Sequence, residues 1–309
     1  MAVTIHKTFA KEFKSGLHAL AQQKASKFAR RVRRETVASA EEAYFDTYDK
    51  EEDPTEQTVR HGDTPLSEPN LGRRKVTPRR WEHGVLLDDM DLKRTQDNIQ
   101  GAVMQGFSAS FGRKTDDIIY DAALGTAAIG KTGDDTITFA NESTSISGDG
   151  TTEAIGTAAT PDGDGAEDYM TLAKILTMMQ LFNEEDVDAD EKKFWAVSPR
   201  DLNKMLDIEE LTSADYVTVR TLVAGKIDTF MGFEFFWTNR LDVDTTDGTT
   251  RRTLAWAEGG IILAYIDELR MSVDRRADKR NDTQIYGEMD LGAVRMEGAK
   301  VHECLNKFA

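Results

Sequence analysis

Apolar residues recur at Leu92, Ile99, Val103, Phe107, Phe111, Ile118 and Ala122, at spacings of four and seven. That is the stripe of a helix buried on one side. With Asp88 or Asp89 as its cap, the pattern predicts a helix that ends near Leu124-Gly125. At about 1.5 Å per residue it would be roughly 50 Å long, more than a compact domain of this size requires. A second face, Leu172, Ile175, Met179 and Phe182, predicts another helix. Phe194-Trp195-Ala196-Val197 reads as a buried strand. Ser198-Pro199 then starts a helix, with serine at the cap and proline in the first turn. A further helix is expected to run to about Ala224 and stop at Gly225. From there strands dominate, at 233–237, 252–257, 260–266, 269–274, 284–296 and 299–305, with a turn at Glu297-Gly298.

The polar stretches divide these elements. Residues 125–168 are rich in Gly, Thr, Ser and Asp, with one strand-like run, Thr136-Ile137-Thr138-Phe139-Ala140. Residues 41–86 are poor in large apolar side chains and contain Pro54, Pro65, Pro69 and Pro78. Such a stretch cannot fold alone, and a long loop inside a domain usually carries function. The order of arm, loop, long helix, mixed block and strands is an α+β arrangement.

Charge sharpens the picture at the N-terminal side. Residues 1–34 carry Lys7, Lys11, Lys14, Lys24, Lys27, Arg30, Arg31, Arg33 and Arg34 against a single acid, Glu12. Residues 35–56 reverse this, with acids throughout and Lys50 as the one base. The first block has Phe9, Phe13, Leu17, Leu20 and Phe28 roughly on one stripe, so it reads as a helix-capable basic arm. Its apolar groups need a partner, which favours docking on a neighbouring subunit over non-specific phosphate contact. Within the loop, the acids Glu51, Glu52 and Asp53 precede a basic half, Arg73, Arg74, Lys75, Arg79 and Arg80, followed by Trp81. The two halves can pair across a hairpin or with a neighbour, and deletion of residues 73–80 is then expected to reduce assembly without unfolding the subunit.

Composition limits the function classes. The chain has 309 residues, 39% apolar and 30% charged, with a formal net charge of −16. That balance argues against a sequence-reading nucleic-acid binder. No apolar run approaches the roughly 18–20 residues of a membrane helix, and the first twenty residues do not read as a secretory signal. The lone cysteine, Cys304, excludes an internal disulfide and fits a reducing compartment.

Several motifs imitate chemistry. Gly125 to Thr132, GTAAIGKT, matches the phosphate-loop pattern letter for letter. Its mechanism needs a strand before and a helix after, and both expected flanks are wrong. Asp267, at the end of an apolar strand, is the acidic partner such a nucleotide hydrolase would use. Asp186 to Asp190 lacks the glycine and glutamate of a calcium loop. The five histidines show no zinc spacing. No catalytic, cofactor or metal residues are assigned. The aromatic stretch 226–241, KIDTFMGFEFFWTNRL, reads as a core strand rather than a base-stacking platform, because no basic residues interleave with it.

In combination these segments resemble the major capsid proteins of tailed bacteriophages, with the Hong Kong 97-type fold. GDTP…GRRKVTPRRWEHGVLLDDMDL is similar to that family's extended loop entering its spine helix. FWAVSPRDLNKML is similar to its strand and proline-opened helix. GKIDTFMGFEFFWTNRL and GAVRMEGAKVHECLN are similar to its glycine-then-strand segment and closing hairpin. The resemblance implies an N-terminal arm (1–40), an extended loop (41–86) and a spine helix of the peripheral domain (87–124). It further implies an axial domain (169–269) and closing peripheral strands (270–309), with 125–168 as a surface excursion. It implies no enzyme but a shell subunit, assembling into pentamers and hexamers around double-stranded DNA in the host cytoplasm and residing in the virion capsid. Scaffolding, portal and decoration proteins are the implied partners, with DNA bound non-specifically and no membrane. Contact candidates are Phe9, Phe13, Arg30, Arg31, Arg33, Arg34, Glu51, Glu52, Asp53, Arg73, Arg74, Lys75, Arg79, Arg80 and Trp81. An encapsulin-like compartment protein is the alternative within the fold. The family's founding member links subunits through a loop lysine and a peripheral-domain asparagine; Lys50, Lys75, Asn281 and Asn306 match no local motif for this.

Overall fold

A computed structural model describes residues 22–38, 41–48, 50–51, 53–56, 60, 64, 66, 68, 71–88, 99–147, 151–153, 169–206, 229–243 and 250–307. In chain order the first elements are strands β1 (Arg33–Thr36), β2 (Ala43–Tyr48), β3 (Leu71–Val76) and β4 (Arg79–Leu87), then helix α1 (Ile99–Leu124). Strands β5 (Ala127–Ile129), β6 (Asp135–Ile137), β7 (Ser145–Ser147) and β8 (Thr151–Glu153) follow, then helix α2 (Leu172–Glu184), strand β9 (Lys193–Val197) and helix α3 (Pro199–Leu206). The remainder is strands β10 (Thr229–Phe230), β11 (Phe233–Trp237), β12 (Thr250–Ala257), β13 (Ile261–Arg276), β14 (Asp282–Arg295) and β15 (Val301–Lys307). The helix expected to end at Ala224, and the first part of the long helix with Leu92, lie outside the described residues.

Three sheets organise these strands. The largest has the order β10-β11-β9-β12-β15-β7-β8, and two four-stranded sheets have the orders β1-β13-β14-β4 and β2-β3-β5-β6. Every residue of β9 is buried, which is why its sequence reads as a run rather than an alternation. It pairs in parallel with β11 and antiparallel with β12. Phe233, Phe235 and Phe236 of β11 are buried, so the aromatic stretch is a core strand. At the start of α3, Asp201 accepts from the Ser198 amide at 2.9 Å, and the Asp201 amide donates to Ser198 Oγ at 3.2 Å. This reciprocal pair is a capping box. Thr171 caps α2 through a 3.3 Å bond from the Lys174 amide, and Ile175, Met178 and Phe182 form its buried face.

The long helix packs on β14. Gly287 permits this, because a Cβ there would lie 2.8 Å from Phe111 Cε2. Phe107 and Phe111 therefore sit directly against the sheet backbone.

Four expectations change. Residues 22–34 are not helical: they form a turn and then β1, which pairs in parallel with β13. The reason is Phe28, fully buried, stacked on Trp256 at 5.3 Å and edge-on to Phe236 at 5.2 Å. An apolar group expected to need a neighbouring subunit thus packs inside its own. The strands expected at 260–266 and 269–274 are the single strand β13, with register shifts between Tyr265 and Arg270. Bulges there let one strand serve the buried body and an exposed extension. Residues 301–307, expected with the strands from 270 onward, lie between β12 and β7 in the seven-stranded sheet. The described residues of 125–153 are shared out, β5 and β6 extending the β2–β3 hairpin and β7 and β8 edging the largest sheet.

β15 carries a buried histidine with a pH consequence. His302 accepts from the Thr144 amide at Nδ1, 3.3 Å, and its Nε2 lies 3.0 Å from the Ala299 carbonyl. This partner set fits the neutral ring protonated at Nε2. Burial lowers its pKa from 6.5 to about 4. Because the folded pKa is depressed, its contribution is complete above pH 6.5 and drains away as pH falls towards 4. Its ceiling is about 3 kcal/mol. Urea unfolding between pH 7 and 4 should show this slope, and His302→Gln should lose it.

Candidate assembly surface

The β2–β3 hairpin joins the acid-rich and base-rich halves of the loop. Asp46 stands opposite Arg73, and Tyr44 opposite Lys75. Arg73 Nε donates to Asp46 at 2.6 Å, and Lys75 pairs with Glu42. The Lys75 ammonium and the Tyr44 hydroxyl hold the Glu42 carboxyl below its ordinary range. Salt bridges this exposed add little stability but fix the register of the two strands.

Most of the basic candidates are engaged within the subunit. Arg31 donates to Glu234 at 2.6 Å and lies over the Phe236 ring. Arg33 pairs with Glu35, and Arg34 with Glu268, each at 2.7 Å. Arg74 pairs with Glu142 and donates to the Met296 carbonyl at 2.9 Å. Arg80 donates to Asp290 at 2.8 Å and holds that carboxyl below its ordinary range. Trp81 is packed against the main core cluster, with the Lys114 ammonium 4.1 Å above its ring. Arg30, Arg79, Glu51 and Asp53 are exposed. Phe9, Phe13 and Glu52 lie outside the described residues. The expected deletion of 73–80 cannot spare the subunit: it removes buried Val76 and strand β4's register with β14.

Two buried charges that sequence reasoning missed hold the framework. Asp116 of α1 is fully buried and accepts from the amides of Lys27 and Phe28, both at 3.1 Å or less. The side chains of Gln23 and Ser26 donate to it as well. It fastens residues 23–28 to the long helix. Arg295 of β14, also fully buried, donates to the carbonyls of Ala123 and Gly125 at 2.7 and 2.8 Å and to Glu142 at 3.1 Å. It satisfies the carbonyl end of α1 and complements its dipole. Neither has a local sequence signal, since their partners are distant in sequence.

Among the described residues, exposed large apolar groups are scattered at Leu86, Met104, Leu176, Val243 and Val273, and several gather on the β2–β3 segment. Tyr48 and Leu71 face each other across the strands and are 58% and 68% exposed. Tyr44 and Leu66 are exposed on the same segment. The single large aromatic exposed on β11 is Trp237, with the Lys27 ammonium 3.3 Å above its ring. Exposed apolar side chains clustered on a projecting hairpin favour burial against another surface.

The phosphate-loop imitation has the flanks read from sequence. Helix α1 precedes it, β5 follows within it, and Gly130 and Gly133 take positive φ in the turn to β6. Lys131 lies in that turn and Asp267 on β13, in a different sheet. Among the described residues, no helix is long and apolar enough to cross a membrane.

Comparison with known proteins converges on one family. The family model described as "Phage capsid protein" matches residues 5–307. No curated protein matches the chain in sequence. Among solved structures, the capsid of Ralstonia phage GP4 is similar over 100% of this chain and 98% of its own, at 15% identity and a TM-score of 0.71. The capsid of Cyanophage P-SCSP1u covers 98% of this chain and 94% of its own, at 13% identity and a TM-score of 0.70. The Cyanophage Pam1 capsid covers 99% and 98%, at 16% identity and a TM-score of 0.69. The mixed helix-and-sheet architecture is therefore the Hong Kong 97-like capsid fold, and the chain belongs to the phage capsid protein family.

Proposed function

We propose that the protein is the major coat subunit of a tailed-phage head, assembling into pentamers and hexamers of an icosahedral shell around double-stranded DNA. The observation that carries this reading is the hairpin with Tyr48 and Leu71 turned outward. A head-to-tail contact, in which the hairpin of one copy lies on the next, closes into rings. Each contact gains roughly 25 cal/mol per Å² of apolar area buried, and a lattice repeats that gain at every subunit. On this reading α1 is the spine helix and the seven-stranded sheet with α2 and α3 is the axial body. Exposed Arg30, Arg79, Glu51 and Asp53 are left to set register between copies. The formal net charge of −16 keeps packaged DNA from adhering tightly to the wall. Scaffolding, portal and decoration proteins are the partners this role requires, and the host cytoplasm is where assembly takes place.

Negative-stain imaging and size exclusion of the purified protein test the reading. Closed shells or ring-shaped capsomers are expected. The double substitution Tyr48→Asp, Leu71→Asp should reduce assembled material at least tenfold while leaving the circular dichroism of the subunit unchanged. A wild-type protein that stays monomeric at high concentration would overturn the proposal.

A further inference from the structure

The turn that imitates a phosphate loop lies beside a cavity with an imbalance of charge. The cavity has a volume of about 570 Å³ and is lined by residues of β2 and β3, by Ile129, Gly130 and Lys131, and by Glu142. It opens because β5 pairs with β3 only at Arg74 and Lys75. Beyond Arg74 the chain turns away at Gly130, and β3 runs on through Arg73 and Gly72 without β5 beside it. Gly72 adds no side chain to the wall.

The charged lining is Arg73, Arg74 and Lys131 against Asp46 and Glu142. Both carboxylates are already engaged. Asp46 accepts from Arg73 Nε at 2.6 Å. Glu142 is shared between Arg74 and the fully buried Arg295, whose Nε lies 3.1 Å from it. Lys131 carries no ion pair among the described residues, and Arg74 Nη1 is buried without a hydrogen-bond partner. Asp134 and Asp135 follow the turn but do not line the cavity, and Asp134 accepts from the Thr132 hydroxyl at 2.6 Å. Four cations thus meet two carboxylates, and two positive charges are left uncompensated. The Arg74 side chain is only 11% exposed, so water screens its charge weakly. Arginine forks and a lysine point charge together are the donors that recognise phosphate.

We propose that this cavity binds a phosphate group, held by Lys131, Arg73 and Arg74. A doubly charged oxyanion neutralises the surplus that the two carboxylates leave. The proposal is one of binding, with no bond made or broken. Gly130 and Lys131 belong to the phosphate-loop imitation, yet the site owes nothing to a helix N-terminus, and its arginines come from the hairpin. Every lining residue belongs to one subunit, so the site stands independently of the assembly reading. Lys131 is the exposed member of the set and can be changed without disturbing the fold, whereas Arg74 also holds Glu142 and the Met296 carbonyl.

Isothermal titration calorimetry of the purified full-length protein with inorganic phosphate, at an ionic strength held constant with sodium chloride, tests the proposal. Saturable binding of one phosphate per subunit is expected, with a Kd of about 1 mM or tighter. Lys131→Ala should weaken binding about tenfold, the loss of one charge-assisted contact, with the circular dichroism unchanged. Lys131→Arg should retain most of the affinity. Adenosine monophosphate and adenosine as competitors separate the two sources of such a group. Displacement by the nucleotide alone identifies a phosphate ester, and no displacement by either identifies the free ion; both results uphold the site. Heats that never saturate overturn the proposal, since they mark general screening of charge. Equal affinity in Lys131→Ala overturns it as well.

Discussion

Asp116→Ala should lower the unfolding free energy by about 3 kcal/mol or more and release residues 22–32 to proteases. Four donors converge on this one carboxylate: the amides of Lys27 and Phe28, Ser26 Oγ and Gln23 Nε2. Each buried donor deprived of its acceptor costs about 1–3 kcal/mol. The damage does not stop at the hydrogen bonds. Phe28 follows directly in the strap and stacks on Trp256, whose Nε1 donates to the Arg31 carbonyl at 2.8 Å. A strap that lifts therefore opens the main core. Trypsin reports it directly, because Lys24, Lys27, Arg30 and Arg31 all lie in the segment. Asp116→Asn keeps one acceptor oxygen and should fall between wild type and alanine. A loss below about 1 kcal/mol, with unchanged cleavage, would show that the strap is held by its apolar contacts alone.

Arg295→Met should be comparably severe, at about 3–5 kcal/mol, the range for removing one partner of a buried ion pair. The side chain is fully buried, and methionine fills much of its volume without its charge. The Ala123 and Gly125 carbonyls lose their donor, and Glu142 keeps Arg74 alone. Adding Glu142→Gln should recover part of the loss by removing the under-compensated acid. A double variant no better than the single would locate the cost at the helix end rather than at the ion pair. Denaturant titration of the three proteins separates these outcomes.

Legibility in the sequence followed distance along the chain. The start of α3 was readable because Ser198 and Pro199 mark it locally; Asp201, which completes the capping box, was not singled out. β9 was readable because burial on both faces leaves an apolar run, and β11 because its buried Phe233, Phe235 and Phe236 cluster in the sequence. The hairpin was readable from its opposed charge blocks, but not its outward face. Leu71 looks unremarkable among polar neighbours until Tyr48 stands opposite it. Phe28 was misassigned because its spacing from Phe9 and Phe13 imitates a helical stripe, whereas its real partners, Trp256 and Phe236, lie more than two hundred positions away. Asp116 and Arg295 were invisible for the same reason. A charge inside a helix or strand pattern normally marks a solvated face, and only tertiary packing shows it to be enclosed. The family resemblance recovered the fold, although no single local motif carried it.

β15 occupies an inner position of the largest sheet, although residues 301–307 follow every other strand of that sheet in sequence. On the ribosome, β12 and β7 must wait with a vacant slot between them. A nascent subunit therefore cannot finish this half of itself early, and a product cut short before residue 301 would carry two open strand edges. Such edges recruit other chains indiscriminately. Late closure thus leaves this half of the sheet open until translation has run through to that strand.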